Sequence, residues 1–160
     1  MKSVTILRRF LVIAALMFWQ GGFVFYAGVV VPVGRATIGA DQSSVTQHVT
    51  NYLNLSGAIA LMPLVWDICS SGAGKRIRWV LWLGMAAALP ILVWLHLRLD
   101  AALDPNSSDP RAQIAFPATH SAYLWVSTFQ WMCAVLFTIA SVQSWRAEDL
   151  RSFAREEESA

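Results

Sequence analysis

FLVIAALMFWQGGFVFYAGVVVPVG, residues 10–34, contains no charged side chain, and the reading of that run decides the fold. A helix needs about 20 apolar residues to cross a hydrocarbon core about 30 Å thick. Lys2, Arg8 and Arg9 precede the run, so it begins like a secretory leader. The apolar stretch continues too far for one, however, and no small-x-small cleavage site with a polar region behind it follows. It therefore reads as an uncleaved signal anchor, with a first helix at about 9–33. Ala14, Gly21 and Gly28 recur every seven residues, which predicts a face of small residues where a neighbouring backbone approaches closely.

The whole chain repeats this character. Of its 160 residues 56% are hydrophobic and only 14% charged, outside the range of soluble globular proteins. Further uncharged runs predict helices at about 46–67, 79–98 and 116–145, which gives an all-α transmembrane four-helix bundle in a single membrane domain, 1–160. The second run is the most polar, with Gln47, His48, Thr50, Asn51 and Asn54 in its first turns. Topology argues for it: if it did not span, the Lys75, Arg76, Arg78 cluster would face outward.

Pro63 and Pro90 predict kinks in the second and third helices, and Pro63 frees the carbonyl of Ile59. Ser70, Ser71, Gly72 and Gly74 form a turn between those helices, with Asp67 marking the exit from the membrane. Trp79 and Trp82 start the third helix at the headgroup level, and Gly84 and Ala88 form a small-xxx-small pair. Asp104-Pro105, Asn106, Ser107, Ser108 and Asp109-Pro110 read as successive turns in the longest external loop. Pro117 suits the first turn of the fourth helix. The charged tail, 146–160, is expected to start as a surface helix around Leu150 and Phe153 and to fray at Glu156, Glu157 and Glu158.

Basic residues set the orientation. Lys2, Arg8, Arg9, Lys75, Arg76, Arg78, Arg146, Arg151 and Arg155 fall on one side, against Arg35, Arg98 and Arg111 on the other. That places both termini in the cytoplasm and the protein in the cell membrane as a multi-pass chain. A net charge of +2 and the lack of a basic, aromatic-interleaved stripe exclude a nucleic-acid partner. Cys69 and Cys133 are predicted at different depths, too far apart to bridge. No internal repeat, Gly-rich phosphate loop, G-x-S-x-G elbow or C-x-x-C pair is present, and no charge lies near mid-depth to carry protons. The sequence names no catalytic residue and leans away from an enzyme.

Two features carry chemistry. His48, His96 and His120 all fall at the external ends of their helices, at a shared depth. Imidazoles there could ligate haem or a transition metal, with Asp100 one turn beyond His96 to orient its second nitrogen. Equally, His collects at membrane interfaces for its polar tip alone, and none of the three belongs to an H-x-x-x-H or Glu-x-x-His pair. The second feature is the polar stripe His120, Tyr123, Ser127, Gln130 on one face of the fourth helix, which is expected to meet Asn51, Asn54 and Ser56 of the second helix or Gln20 of the first. Gln20, Asn51, Asn54, Tyr123, Ser127 and Gln130 then either line a pocket open to the external side or set the bundle's register by hydrogen bonds.

Phe18-Trp19-Gln20-Gly21-Gly22-Phe23-Val24-Phe25-Tyr26-Ala27-Gly28-Val29-Val30-Val31-Pro32 resembles the first helix of the small four-helix membrane proteins grouped as domain of unknown function 4149, the transmembrane protein 205-like family. His120-Ser121-Ala122-Tyr123 and Gln130-Trp131 are similar to its last helix. The resemblance implies a four-span, multi-pass membrane fold and brings no substrate, cofactor or catalytic residue. The sequence thus supports three readings: a bundle with an external polar pocket, a haem- or metal-binding redox protein, and an assembly subunit whose partner is a membrane protein or a second copy.

Overall fold

The computed structural model describes residues 2–39, 42–72, 74–103 and 110–158. The chain runs as α1 (Lys2–Phe25), a π-helical turn (Tyr26–Val30), α2 (Val31–Ile38), α3 (Gln42–Ser70), α4 (Lys75–Leu103) and α5 (Pro110–Glu158). No strand occurs among the described residues, and the architecture is an all-α four-helix bundle. Four helices are long and apolar enough to cross a membrane.

Their packing shows which solvent they suit. Only 22–33% of each helix's apolar window is buried inside the protein; Phe18, Met17 and Trp125 are 76, 70 and 74% exposed. In water, apolar area on that scale would drive aggregation. In lipid it is the expected outer surface, and the chain is a membrane protein.

α1, the π turn and α2 form one continuous rod. The backbone N–H of Val31 donates to the carbonyl of Tyr26, five residues back. Pro32 explains the widened turn: it has no N–H to offer the carbonyl of Gly28, so the α-ladder is interrupted just before it. α2 ends at Gly39, whose φ of 60° lies in the left-handed region that costs glycine nothing.

The helices form a ring in the order α1, α3, α4, α5. α4 and α5 share the most extensive interface and α1 packs well on α3, whereas α1 and α5 meet far more sparsely. Gly84, of the small-xxx-small pair, lets α5 in close: a Cβ there would stand 3.2 Å from Cys133 Sγ. Gly57 does the same for α1, since a Cβ would lie 2.9 Å from the Trp19 ring. The face expected to serve this purpose does not, because Gly21 and Gly28 have nothing within 4 Å. The close approaches fall where a bulky partner exists, which periodicity alone does not reveal.

Several boundaries differ from expectation. The rod of α1, π turn and α2 (2–38), α3 and α4 all begin earlier and end later than the expected 9–33, 46–67 and 79–98, since polar or charged residues in a first or last turn are compatible with helix. α5 continues through Glu156, Glu157 and Glu158 where fraying is expected. At about 1.5 Å per residue it is about 70 Å long, well beyond a membrane's thickness. Of the external loop, residues 104–109, where the successive turns are expected, lie outside the described residues. The kink sites attract side chains, though not at Ile59. Near Pro63 the Trp82 indole donates to the carbonyl of Leu61 at 3.0 Å, and in the turn before Pro90 the Gln130 amide donates to that of Met85 at 3.1 Å.

Leu92, Leu95 and Leu99 are buried along the later part of α4, but the contiguous apolar cluster lies towards one end of the bundle. Val12, Leu16, Trp19, Leu64, Met85 and Phe137 form its centre, all towards the end where the N-terminus, the α3–α4 turn and the C-terminal part of α5 meet. We call this the terminal end and its opposite the far end.

Candidate functional site

At the terminal end the charges read as anchors in the sequence prove to be a packed cluster. Asp67, expected merely to mark a membrane exit, is fully buried, as is Arg78, and Arg8 is 7% exposed. Asp67 takes an ion pair from Arg8 Nε at 2.8 Å and another from Arg78 Nη2. The Trp145 indole N–H donates to its carboxylate as well. Arg8 reaches on to Glu148 at 3.3 Å, and Arg9 grips Asp149 with both Nη atoms at 2.9 Å. Ser71 and Ser144 share a hydrogen bond of 2.6 Å, and Arg78 donates to Ser144. The guanidinium of Arg78 also lies over the Phe137 ring, and that of Arg9 over Trp145.

Three guanidinium groups therefore meet three carboxylates. Desolvating any of these charges costs several kcal/mol, and only mutual pairing with extra hydrogen bonds offsets that. The cluster joins α1, α3, α4 and α5, which makes it the fastening of the terminal end. Beside it, a recess of about 270 Å³ opens between Val4, Thr5, Arg8, Trp66 and Ser70.

The far half is built differently. Tyr123 of α5 interacts with Ser127 on its own helix and with Asn54 of α3, with Tyr26 of the π turn as an electrostatic neighbour. Ser127 is 4% and Tyr26 9% exposed. Yet Ser127 Oγ, Asn54 Nδ2 and the Tyr26 hydroxyl are buried without a partner of hydrogen-bonding geometry, as is Gln20 Oε1. Unpaired buried polar groups cost about 1–3 kcal/mol each, and such groups in a folded protein ordinarily meet water or a ligand.

Helical rise fixes the height of this group. Asn54 stands about 20 Å along α3 from Asp67, Ser127 about 26 Å along α5 from Ser144, and Tyr26 about 27 Å along α1 from Arg8. All lie further from the ion cluster than half of a hydrocarbon thickness of about 30 Å. One turn further out along α3, a recess of about 210 Å³ is lined by Gln47, His48, Asn51 and Asp100. We call this polar region of the far end the chamber, in which the recess lies on the α3–α4 side and the apolar cluster lies beneath.

Of the six polar residues singled out in the sequence, the structure brings Asn54, Tyr123 and Ser127 together. Asn51 lines the outer recess. Gln130 is buried, with its amide on Met85, so it serves α4–α5 packing. Gln20 looks from α1 towards α5, since three helical turns separate it from Arg9, which bonds α5. Tyr26 was missed, although it stands seven residues beyond Trp19, which itself follows Val12 by seven, and all three are buried.

The histidines are divided. His96 is buried, its Nε2 3.3 Å from Asp100 Oδ2 as the i, i+4 spacing suggests. His48 is exposed, with Nδ1 on the carbonyl of Ser44 at 2.9 Å. His120 is exposed too and stacks on Phe116. Among the described residues, no group of three His, Cys, Asp or Glu side chains is gathered as a metal would require. Cys133 is buried, Cys69 exposed, and both are free thiols.

No family model matches the chain, and neither do the curated proteins or the solved structures.

Proposed function

We propose that this multi-pass membrane protein binds a small polar group in the chamber at the far end of its bundle. The observation that carries the reading is the set of unpartnered buried atoms, Ser127 Oγ, Asn54 Nδ2 and Tyr26 hydroxyl, on three different elements around Tyr123. They offer donors and acceptors without a formal charge, and the Asp100 carboxylate lines the recess beyond them. The likeness to the domain of unknown function 4149 proteins fits a four-span membrane chain and brings no ligand with it.

In the same reading the terminal end faces the cytoplasm and the far end the exterior of the cell membrane. Nine basic residues against three support this orientation,, and so does the sharing of one end by Arg8, Arg78 and the start of the tail. The chamber then opens outward.

Cysteine accessibility tests the proposal. In a Cys69→Ser, Cys133→Ala background, Ser127→Cys is expected to react in intact cells with a small, membrane-impermeant methanethiosulfonate added outside. Asn51→Cys, at the recess, serves as the positive control. A Ser127→Cys protein that is folded and stays unreactive, while Asn51→Cys is labelled, would show that the chamber does not open to water.

A further inference from the structure

The recess between α3 and α4 is lined by Gln47, His48, Asn51 and Asp100, and its chemistry is one-sided. Gln47 and Asn51 stand one helical turn apart on α3, with His48 beside them. His48 Nδ1 lies 2.9 Å from the carbonyl of Ser44. That oxygen can only accept, so Nδ1 carries the hydrogen, and in the neutral ring Nε2 is left as a bare acceptor. Across from them Asp100 occupies the last turn of α4, where no basic side chain occurs and where the negative end of the helix dipole opposes an acid. Asp100 Oδ2 is 3.3 Å from His96 Nε2, yet neither that nitrogen nor Asp100 Oδ1 has a partner of hydrogen-bonding geometry. Among the described residues no arginine or lysine pairs with Asp100; the guanidinium of Arg98 lies over the Trp94 ring instead. With its side chain 32% exposed, the carboxylate is neither sealed in the interior nor neutralised by a fixed cation.

We propose that this recess binds the primary ammonium group of a small amine that arrives from the far side of the membrane. An ammonium carries one positive charge and three N–H donors. The charge answers Asp100, and the donors suit its carboxylate, His48 Nε2 and an amide oxygen of Gln47 or Asn51. A neutral alcohol of the same shape would leave the carboxylate without a counter-charge. A divalent metal asks for a denser set of ligands, whereas among the described residues no three His, Cys, Asp or Glu side chains are gathered. At about 210 Å³ the recess is smaller than the pockets of about 300–1,000 Å³ that enclose drug-sized ligands, so the amine carries a short carbon chain.

This inference rests on the chamber reading, of which the recess is the α3–α4 side, and it is tested through charge rather than access. The full-length protein in detergent is titrated calorimetrically with butylammonium chloride, with 1-butanol and with zinc chloride. Butylammonium is expected to bind more tightly than 1-butanol by about tenfold or more, the scale of one hydrogen-bonded charge. Asp100→Asn, which keeps the shape of the side chain and removes its charge, is expected to weaken butylammonium by a similar factor. Equal binding of 1-butanol would overturn the ammonium site and keep the chamber. Zinc binding more tightly than the amine would make the recess a metal site and overturn the proposal, and so would amine binding that is unchanged in Asp100→Asn. If butylammonium does not bind at all, the proposal fails, and the chamber is then decided by the Ser127→Cys labelling. The three compounds are compared on the unaltered protein, so a variant that fails to fold does not blunt the result.

Discussion

The indole N–H of Trp145 sits 3.1 Å from both carboxylate oxygens of Asp67, so one donor from α5 is shared by an anion that two arginines already hold. Trp145→Phe keeps an aromatic ring beneath Arg9 and removes only that donor. The expected loss is about 1–3 kcal/mol, the range for leaving a buried hydrogen-bonding group unmet, read from unfolding in detergent. No loss would mean that the arginines alone satisfy the carboxylate.

Asp67→Ala removes the shared anion, which leaves Arg8 with Glu148 alone and buried Arg78 without its ion pair. Breaking a buried pair in this way costs about 3–5 kcal/mol. The Asp67→Asn, Arg78→Met double variant is expected to lie closer to the unaltered protein than the sum of its single changes, as a double-mutant cycle would reveal. Simple additivity would argue against direct pairing.

Gly57→Val tests the contact between α1 and α3. Its Cβ would start 2.9 Å from the Trp19 ring, so overpacking of about 1–3 kcal/mol is expected. Adding Trp19→Leu should recover part of it, as followed by thermal denaturation.

Gly21→Ala and Gly28→Ala should behave in the opposite way. Neither added methyl meets any atom of this chain, and alanine favours helix by about 1 kcal/mol. The monomer should therefore be unharmed or slightly stabilised. If sedimentation shows that the two changes dissociate an oligomer, that face belongs to a partner copy.

Cys69 reports orientation without mutation, being exposed in the last turn of α3 while Cys133 is buried. A membrane-impermeant maleimide should label Cys69 only after cells are opened. Labelling in intact cells would reverse the assigned sidedness.

The membrane-spanning architecture was legible because lipid imposes one demand over long stretches: an uncharged run either reaches about 20 residues or it does not. Even the polar second helix was recoverable, through the basic turn that follows it. Pairing was not legible. Asp67 follows Trp66 at the end of an apolar run, where a lone acid reads as a stop, and nothing nearby in the chain announces Arg8 or Arg78. Glu148 lies 140 residues from the arginine it meets. The fourth-helix stripe identified Tyr123 and Ser127 because their spacing is a regular helical one. Tyr26 escaped because it lies in an apolar run with no other polar residue on its face of the helix, though it shares that face with buried Val12 and Trp19. All three histidines stand towards the far end of the bundle, but position along a helix says nothing about direction around it, and only His96 is buried.

The ion cluster also carries a timetable for biogenesis. Arg78 and Asp67 are 11 residues apart and can meet as soon as the central hairpin has left the ribosome. The N-terminal arginines, made first, must wait for a partner made almost last. Until α5 is inserted, Arg9 has neither Asp149 nor the Trp145 ring, and the first helix is held by its packing on α3 and by the pair of Arg8 with Asp67. The final helix closes the ring, so a chain cut short before Trp145 would leave Arg9 without its partners on α5.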